Sequence, residues 1–579
     1  MAYEAPLPMM RLTLRQAARA ARLDGAAAYA ETLEELAPAV LEGASRIARE
    51  VLSPLNRVGD ASGCRLEHGT VRTPPGFRAA YQRFCADGWP SLAAPSAFGG
   101  QGLPVLIAAA ATEMWGGANL AFAMCPEAAS GAIEALAVHA SAQLKREYLP
   151  QLVSGAWTAS MCLTEPQAGS DLSTIRTTAE PDGAEFRLTG RKIFISFGDH
   201  DLAENIVHLV LARAPQAPAG AKGLSLFLVP KRLPGAHADN DIRAVGLEHK
   251  MGIRASPTCA MTLGEHGGAR GYLVGALHGG LECMFTMMNH MRLGVALHST
   301  GLAERARQLA LAYAQERRQG RNAAGAQRPI IEHTDVRRML LSMSVLTQAA
   351  RALAYGAAAT LDAAHGAHLG QAERARAMRR LALLTPLAKA WCSDTAGEVA
   401  SLGVQVHGGM GYMQDSEISQ IFRDSRIGSI YEGTNYIQAQ DLIGRRVLRD
   451  EGAALEELLE DIAAAARALP AEPVLAGLGE RLLAECAALH TMTRRLIAAH
   501  STEPEWSLAV AYPFLQWLGV TAGAWQWALT ALEPGPDGAA LRALAGFYAA
   551  HILPRARACA ALVESGAAPI LTADPLQPS

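Results

Sequence analysis

The chain has 579 residues, half of them hydrophobic and only 6% aromatic, and its 52 Lys and Arg against 55 Asp and Glu leave a net charge of −3. That length accommodates several domains, and the near-neutral balance leaves nothing global that draws the chain to nucleic acid or anionic lipid. Nine scattered cysteines without a CxxC pair predict reduced thiols, a cytoplasmic (bacterial) setting and no metal site, and no apolar run reads as long enough to span a membrane.

Arg11, Arg15, Arg19 and Arg22 fall on one helical face of RLTLRQAARAARL. An Arg-rich start also describes a transit peptide, but Ser is not enriched, so a folded helix is the expectation. Residues 1–155 read as a helical domain, with ETLEELAPAVLEGASRIAREVLSPL carrying apolar residues at helical spacing and ending at a proline. Residues 156–275 change period. EFRLTGRKIFIS alternates, and NIVHLVLA and GLSLFLVP are short β-rich runs bounded by Gly and Pro, which predicts an inserted β domain. Residues 276–448 return to helix, with Pro386 expected to kink or restart its helix. Residues 449–579 read as further helices whose Trp517, Trp525 and Trp527 serve packing. This tail holds fifteen acidic residues against eight Arg and no Lys, which speaks against DNA binding. The fold class is mostly α with an inserted β domain and an extra C-terminal helical domain.

Three stretches carry chemistry. MCLTEPQAGSD, Met161–Asp171, is a loop shaped by Pro166 and Gly169. Backbone groups of Met161–Leu163 and the hydroxyls of Thr164 and Ser170 offer directed hydrogen bonds of the kind a flavin needs. KIFIS, Lys192–Ser196, adds an aromatic, Phe194, and a hydroxyl, Ser196; alone it is an ordinary β-hairpin segment, and its reading depends on the loop before it. In GVQVHGGMGYMQDSEISQIFRDSRIGSIYEGTNYIQ, Gly408, Gly409 and Gly411 form a turn in which backbone can approach a ligand closely. Glu432 stands between an apolar run and a glycine, where desolvation raises a carboxyl pKa toward that of a working base. The plainer reading is a Gly-rich turn and a helix-start Glu beside the cap Thr434. Glu417, in QDSEIS, reads as solvated.

QVHGGMGY followed by RD-x-x-I-x-x-IYEGT-x-x-IQ resembles the acyl-CoA dehydrogenases, and the resemblance covers about Pro75 to Leu448. The start, length and tail resemble a long, C-terminally extended subgroup. The resemblance implies a helical N-terminal domain, a β-barrel middle and a C-terminal helical bundle. It implies α,β-dehydrogenation of an acyl-CoA, with Glu432 as the base that removes the α-proton. It implies noncovalent FAD held by Met161, Leu163, Thr164, Gly169, Ser170, Phe194, Ser196 and Thr434. Arg317 with Gln319, and Gln405 with Gly408 and Gly409, would reach the FAD of a neighbouring subunit in a homodimer; Arg318 is a neighbouring candidate for the arginine. Ser170, Asn289, Arg292 and Gly433 are the implied substrate contacts, and electron-transferring flavoprotein is the implied acceptor. Phe194 replaces the Trp of many relatives, Ser196 a Thr and Asn289 an Asp. The acyl chain stays open, a thioether included. So do an acyl-CoA oxidase using oxygen and a DNA-associated flavoprotein relative.

Overall fold

The computed structural model of the chain describes residues 2–235, 238–321, 325–366, 368–535 and 537–573. The N-terminal helix Leu7–Ala20 carries Arg11, Arg15 and Arg19, while Arg22 lies past its end with φ of 62°. The helix buries Met10, Leu14, Ala17 and Ala18. It is tied to the far end of the chain by Gln16 Nε2, which donates to the Gln526 carbonyl at 3.1 Å, and by Arg19 with Glu533 at 2.6 Å.

The helical body is built on four long helices: Val105–His139, Gly280–Glu316, Thr334–His365 and Gln371–His407. The first corrects one expectation from the sequence: by length and composition it is apolar enough to cross a bilayer, and 72% of its most apolar window is buried inside the fold. A helix covered by protein on all sides needs apolar residues all round, so hydropathy alone does not separate the two cases. Small residues let it approach its neighbour closely, since a Cβ on Gly301 would lie 2.3 Å from the Glu113 carbonyl oxygen. Beside this crossing Arg351 is bonded to Glu113 at 2.7 Å and to Glu304 at 3.0 Å, a fully buried ionic knot between three helices.

Pro386 does not restart its helix, because Gln371–His407 runs through it. Its neighbours Leu383 to Ser393 are all buried, and packing on both sides overrides the local cost of about 3 kcal/mol. Two short hairpins also interrupt segments expected to be helical, Arg65–Glu67 with Thr70–Arg72 and Arg318–Arg321 with Gln327–Pro329.

Five of the strands between Trp157 and Val274 close into a barrel, and Thr258–Leu263 with Ile242–Leu247 extends it from Glu185–Ser196. Its order is Ala269–Val274, Leu224–Pro230, Asn205–Arg213, Thr178–Asp182, Glu185–Ser196, and Ala269–Val274 pairs again with Glu185–Ser196 to close the ring. Trp157–Cys162 lies parallel to Asn205–Arg213 with Met161 opposite Leu209. Asn205–Arg213 and Leu224–Pro230 are buried almost throughout, which matches their continuous rather than alternating apolar pattern.

The C-terminal helices share the apolar core of the long helices rather than forming a separate one. Trp517 and Trp527 are fully buried, with Trp527 Nε1 donating to the Val345 carbonyl at 3.0 Å and Trp517 Nε1 to Glu485 at 2.7 Å.

Candidate active site

The loop after strand Trp157–Cys162 is held by a buried charge pair. Glu165 and Lys192 are 3% and 0% exposed, with Nζ to Oε1 at 2.8 Å. Lys192 also donates to the carbonyls of Leu163 and Leu211 at 3.0 and 2.8 Å. Glu165 accepts in addition from Arg176 N at 2.7 Å, Thr177 N at 3.1 Å and Thr177 Oγ1 at 2.5 Å. Burial pushes the Glu165 carboxyl up, but Lys192 and these donors overcome it and hold it at about 2.

KIFIS is docked on this loop, with Ile193 N donating to the Thr164 carbonyl at 2.9 Å. The pairing register shifts between Lys192 and Ile195, and Phe194 sits in that bulge with φ of 59° and 58% exposure. A bulky residue in the left-handed region is strained, and such strain clusters at ligand sites. No protein hydrogen bond engages the hydroxyls of Thr164, Ser170 and Ser196 among the described residues. Gly169 and Ser170 are exposed, Met161 is half-buried and Leu163 is buried.

Glu432 lies in a turn between the short helical segment Arg426–Ser429 and the helix Asn435–Gln440, whose N-cap Thr434 accepts from Ile437 N at 3.3 Å. Glu432 has φ of 56° and Gly433 φ of 82°, two left-handed residues in succession. Several groups clamp this turn. Gln438 Nε2 donates to the Glu432 carbonyl at 3.0 Å, and Lys389 Nζ donates to the Gly433 carbonyl at 2.7 Å and to Asn435 Oδ1 at 3.0 Å. The φ of 82° favours glycine at 433, and a Cβ there would press on Gln438 Nε2 at 2.8 Å, the group that clamps the turn. Glu432 Oε2 is buried with no hydrogen-bond partner among the described residues. Burial raises this carboxyl to about 7, against the pull of Arg292 and Lys389. Arg292, 3% exposed, donates from Nη1 to Asp441 Oδ2 at 3.1 Å and to Asn289 Oδ1 at 3.3 Å; Asn289 itself is exposed. Burial pushes Lys389 down to about 7.

A further group lies at the other end of the same helices. Tyr313 stacks on His407 with ring centroids 4.4 Å apart, which brings the end of Gly280–Glu316 against the glycine turn. Arg317, Arg318 and Gln319 on one side, and Gln405, Gly408 and Gly409 on the other, are all exposed. Arg292 and Arg317 stand 25 residues apart on that helix and its cap, a separation of roughly 37 Å at 1.5 Å per residue. The residues singled out in the sequence therefore form three groups: the barrel loop with Phe194, the Glu432 turn with Arg292, and the distant arginine–glycine cluster.

These groups fit a flavin dinucleotide. An outward-turned aromatic with free hydroxyls around it suits the isoalloxazine ring, and an exposed arginine beside glycine backbone suits a diphosphate.

Glu165, Lys192, Lys389 and Asp441 were not recognised as functional from the sequence. The available signal was a charge isolated in an apolar run, as in LLTPLAKAWC around Lys389. Glu417 is half-buried rather than freely solvated: Arg305, 1% exposed, holds it at 2.7 and 2.8 Å, since a buried guanidinium requires a partner.

Family models match the acyl-CoA dehydrogenase N-terminal domain at residues 34–156, the middle domain at 160–265 and the C-terminal domain at 278–448. A model described as acetyl-CoA dehydrogenase C-terminal like matches residues 445–574. The chain is 44% identical over 541 residues to 3-methylmercaptopropionyl-CoA dehydrogenase of Ruegeria pomeroyi, covering 92% of this chain and 91% of that one. It is 36% identical over 436 residues to a butyryl-CoA dehydrogenase of Syntrophomonas wolfei, covering 72% and 71%. The solved structure of Caenorhabditis elegans ACDH-11 in complex with C11-CoA has the same fold, with a TM-score of 0.77 at 21% identity over 89% of this chain and 87% of that one. The chain belongs to the acyl-CoA dehydrogenase family, flavoprotein oxidoreductases that work with FAD. It catalyses α,β-dehydrogenation of an acyl-CoA thioester.

Proposed function

We propose that Glu432 is the base of this dehydrogenation, that FAD is bound noncovalently, and that the substrate is a short acyl-CoA, with 3-methylmercaptopropionyl-CoA the first to test. The observation that carries the proposal is the Glu432 carboxylate, with one oxygen buried and unpartnered and a pKa of about 7. Oε2 takes the α-proton. Arg292 and Lys389 keep the carboxyl from rising further, so that a useful fraction is ionised at neutral pH. The Glu432 backbone N–H is the chain's own donor to the thioester oxygen, a contribution of about 3–4 kcal/mol for one such donor. Bound FAD supplies the acceptor for the β-hydride. The Met161–Ser170 loop, Phe194, Ser196 and Thr434 hold its ring, while Asn289, Arg292, Ser170 and Gly433 line the thioester's approach.

The choice of a short acyl chain is supported by the names of the two relatives; a cavity of about 390 Å³ lies between the Val105–His139 and Gly280–Glu316 helices. Its wall includes a charged trio: His290 bonded to Glu134 at 2.8 Å and to Glu127 at 3.4 Å. Burial pushes the His290 imidazole down, but the two glutamates hold it at about 10.

A homodimer is supported by the 37 Å interval. Arg317, Gln319, Gln405, Gly408 and Gly409 lie too far along their helices to serve the Glu432 turn of their own subunit, so they meet a partner's FAD diphosphate. The exposed Met410, Tyr412 and Met413 next to them supply apolar interface. Electron-transferring flavoprotein reoxidises the enzyme, and nine unpaired cysteines accord with the bacterial cytoplasm.

The test is anaerobic mixing of the yellow holoenzyme with 3-methylmercaptopropionyl-CoA, butyryl-CoA and longer thioesters. Rapid bleaching of the flavin by the first two is expected. Bleaching only by long chains would overturn the substrate proposal, and a colourless protein that takes up no FAD would overturn the cofactor proposal.

A further inference from the structure

The helix Ala511–Ala531 of the C-terminal region reaches the Glu432 turn through one carboxylate. Asp394, five residues after Lys389, accepts from Tyr512 OH at 2.8 Å and from Gln516 Nε2 at 2.6 Å on one side. On its other side it accepts from Asn435 Nδ2 at 2.8 Å. Asn435, 5% exposed, is the first residue of the helix that follows Glu432–Thr434, and its Oδ1 takes the second hydrogen bond of Lys389. Lys389 in turn holds the Gly433 carbonyl. Tyr436 OH adds a parallel contact to the Leu508 carbonyl at 3.3 Å. An unbroken chain of hydrogen bonds thus runs from Tyr512 and Gln516 through Asp394, Asn435 and Lys389 to the backbone beside Glu432.

A non-glycine residue in the left-handed region, as Glu432 is with φ of 56°, persists only where its surroundings over-determine it. Most of the donors that fix Asp394 come from the C-terminal helix. Asn435 Nδ2 also donates to the Ala390 carbonyl at 3.1 Å and to Ser393 Oγ at 3.0 Å, so Asp394 is its one charged acceptor among three. Without Tyr512 and Gln516 the Asp394 carboxylate loses two of its three donors, and the grip on Asn435, whose Oδ1 anchors Lys389, is loosened.

We propose that the C-terminal domain is a positioning element for the proton-abstracting turn, with Tyr512 and Gln516 acting on the Glu432 backbone through Asp394 and Asn435. The proposal rests on Glu432 being the base. Neither residue touches the carboxylate of Glu432, so both are positioning residues. Tyr512 is 38% exposed, and removing its hydroxyl leaves the core intact.

The experiment uses the full-length holoenzyme and the variants Tyr512→Phe with Gln516→Leu, Asp394→Asn, and all three together. Anaerobic flavin bleaching at saturating acyl-CoA should slow by roughly tenfold to 10²-fold in each, because a small misplacement of a reacting group costs that much. The acyl-CoA dissociation constant, FAD content and melting temperature should stay near wild type. The triple variant should be no slower than Asp394→Asn, since residues on one path are not additive. A wild-type bleaching rate in the double variant, additive losses, or a loss confined to melting or FAD content would overturn the proposal. If Glu432→Gln itself bleaches at the wild-type rate, the base assignment falls and this proposal falls with it. A dead Glu432→Gln beside fully active Tyr512 and Gln516 variants removes this proposal alone.

Discussion

Glu165 in the barrel and Glu432 in the helical bundle each stand near a fully buried lysine, yet the two carboxyls are driven in opposite directions. Lys192 reaches Glu165 directly at 2.8 Å, other donors complete its coordination, and the carboxyl is held at about 2. Lys389 instead donates to the Gly433 carbonyl and Asn435, and acts on Glu432 only through space. The Glu432 carboxyl keeps one unpartnered oxygen and sits at about 7. The same two residue types therefore make a fixed structural anion in one region and a base in the other. What separates them is where the ammonium protons are aimed.

The largest effect that would sharpen this contrast is expected from Glu432→Gln. The substitution keeps size and polarity but removes the proton acceptor, and bleaching by acyl-CoA should fall by about 10⁴-fold, the upper end for a general base. FAD absorbance should be retained. A loss of less than tenfold would put the base elsewhere. The same variant has a stability signature. A carboxyl raised to about 7 in the folded protein contributes stability below its ordinary value that is lost as pH rises through 7. Glu432→Gln should therefore melt higher than wild type above pH 7 and no higher near pH 4.

Lys192→Met tests the other member of the comparison. It strands a buried carboxylate and should cost roughly 3–5 kcal/mol, read as a melt lowered by several degrees. Adding Glu165→Gln should recover most of the loss; no recovery would mean that the pair is not what locks the loop.

Arg317→Ala should weaken FAD retention by about tenfold to 10²-fold, the value of a charge-assisted hydrogen bond, as followed by flavin release on dilution. If Arg318→Ala does this instead, the diphosphate contact moves one residue along.

The smallest expected effect is a shift in a pH profile. Wild-type bleaching should rise with pH through about 7 as Glu432 ionises. Lys389→Met removes one of the two positive charges facing Glu432, Arg292 being the other, so the acid limb should move to higher pH. A limb that stays in place would mean that Lys389 acts only as a clamp on Gly433.

Much of the site was legible where one short stretch carries both the residue and its setting. IYEGT places a carboxylate before a glycine and after an apolar run, and MCLTEPQAGSD packs loop-forming and hydroxyl residues into eleven positions. Glu417 was misread for the converse reason. Its own segment is polar, and the arginine that buries it comes from a helix 112 residues earlier. Pro386 was misjudged because its local cost is real but small beside the packing of the two helix halves around it.

The sequence by itself determined the architecture class, the order of helical and β segments, the family and the residue proposed as base, because periodicity, turn chemistry and short motifs are properties of neighbours along the chain. Only the tertiary structure decided that Lys192 pairs with Glu165 while Lys389 does not pair with Glu432. It alone turned Phe194 out of a bulge and brought Tyr512 and Gln516 onto Asp394, 118 and 122 residues away. Burial and hydrogen-bond direction set those outcomes, and both are fixed by contacts between segments whose separation along the chain carries no pattern a single sequence displays.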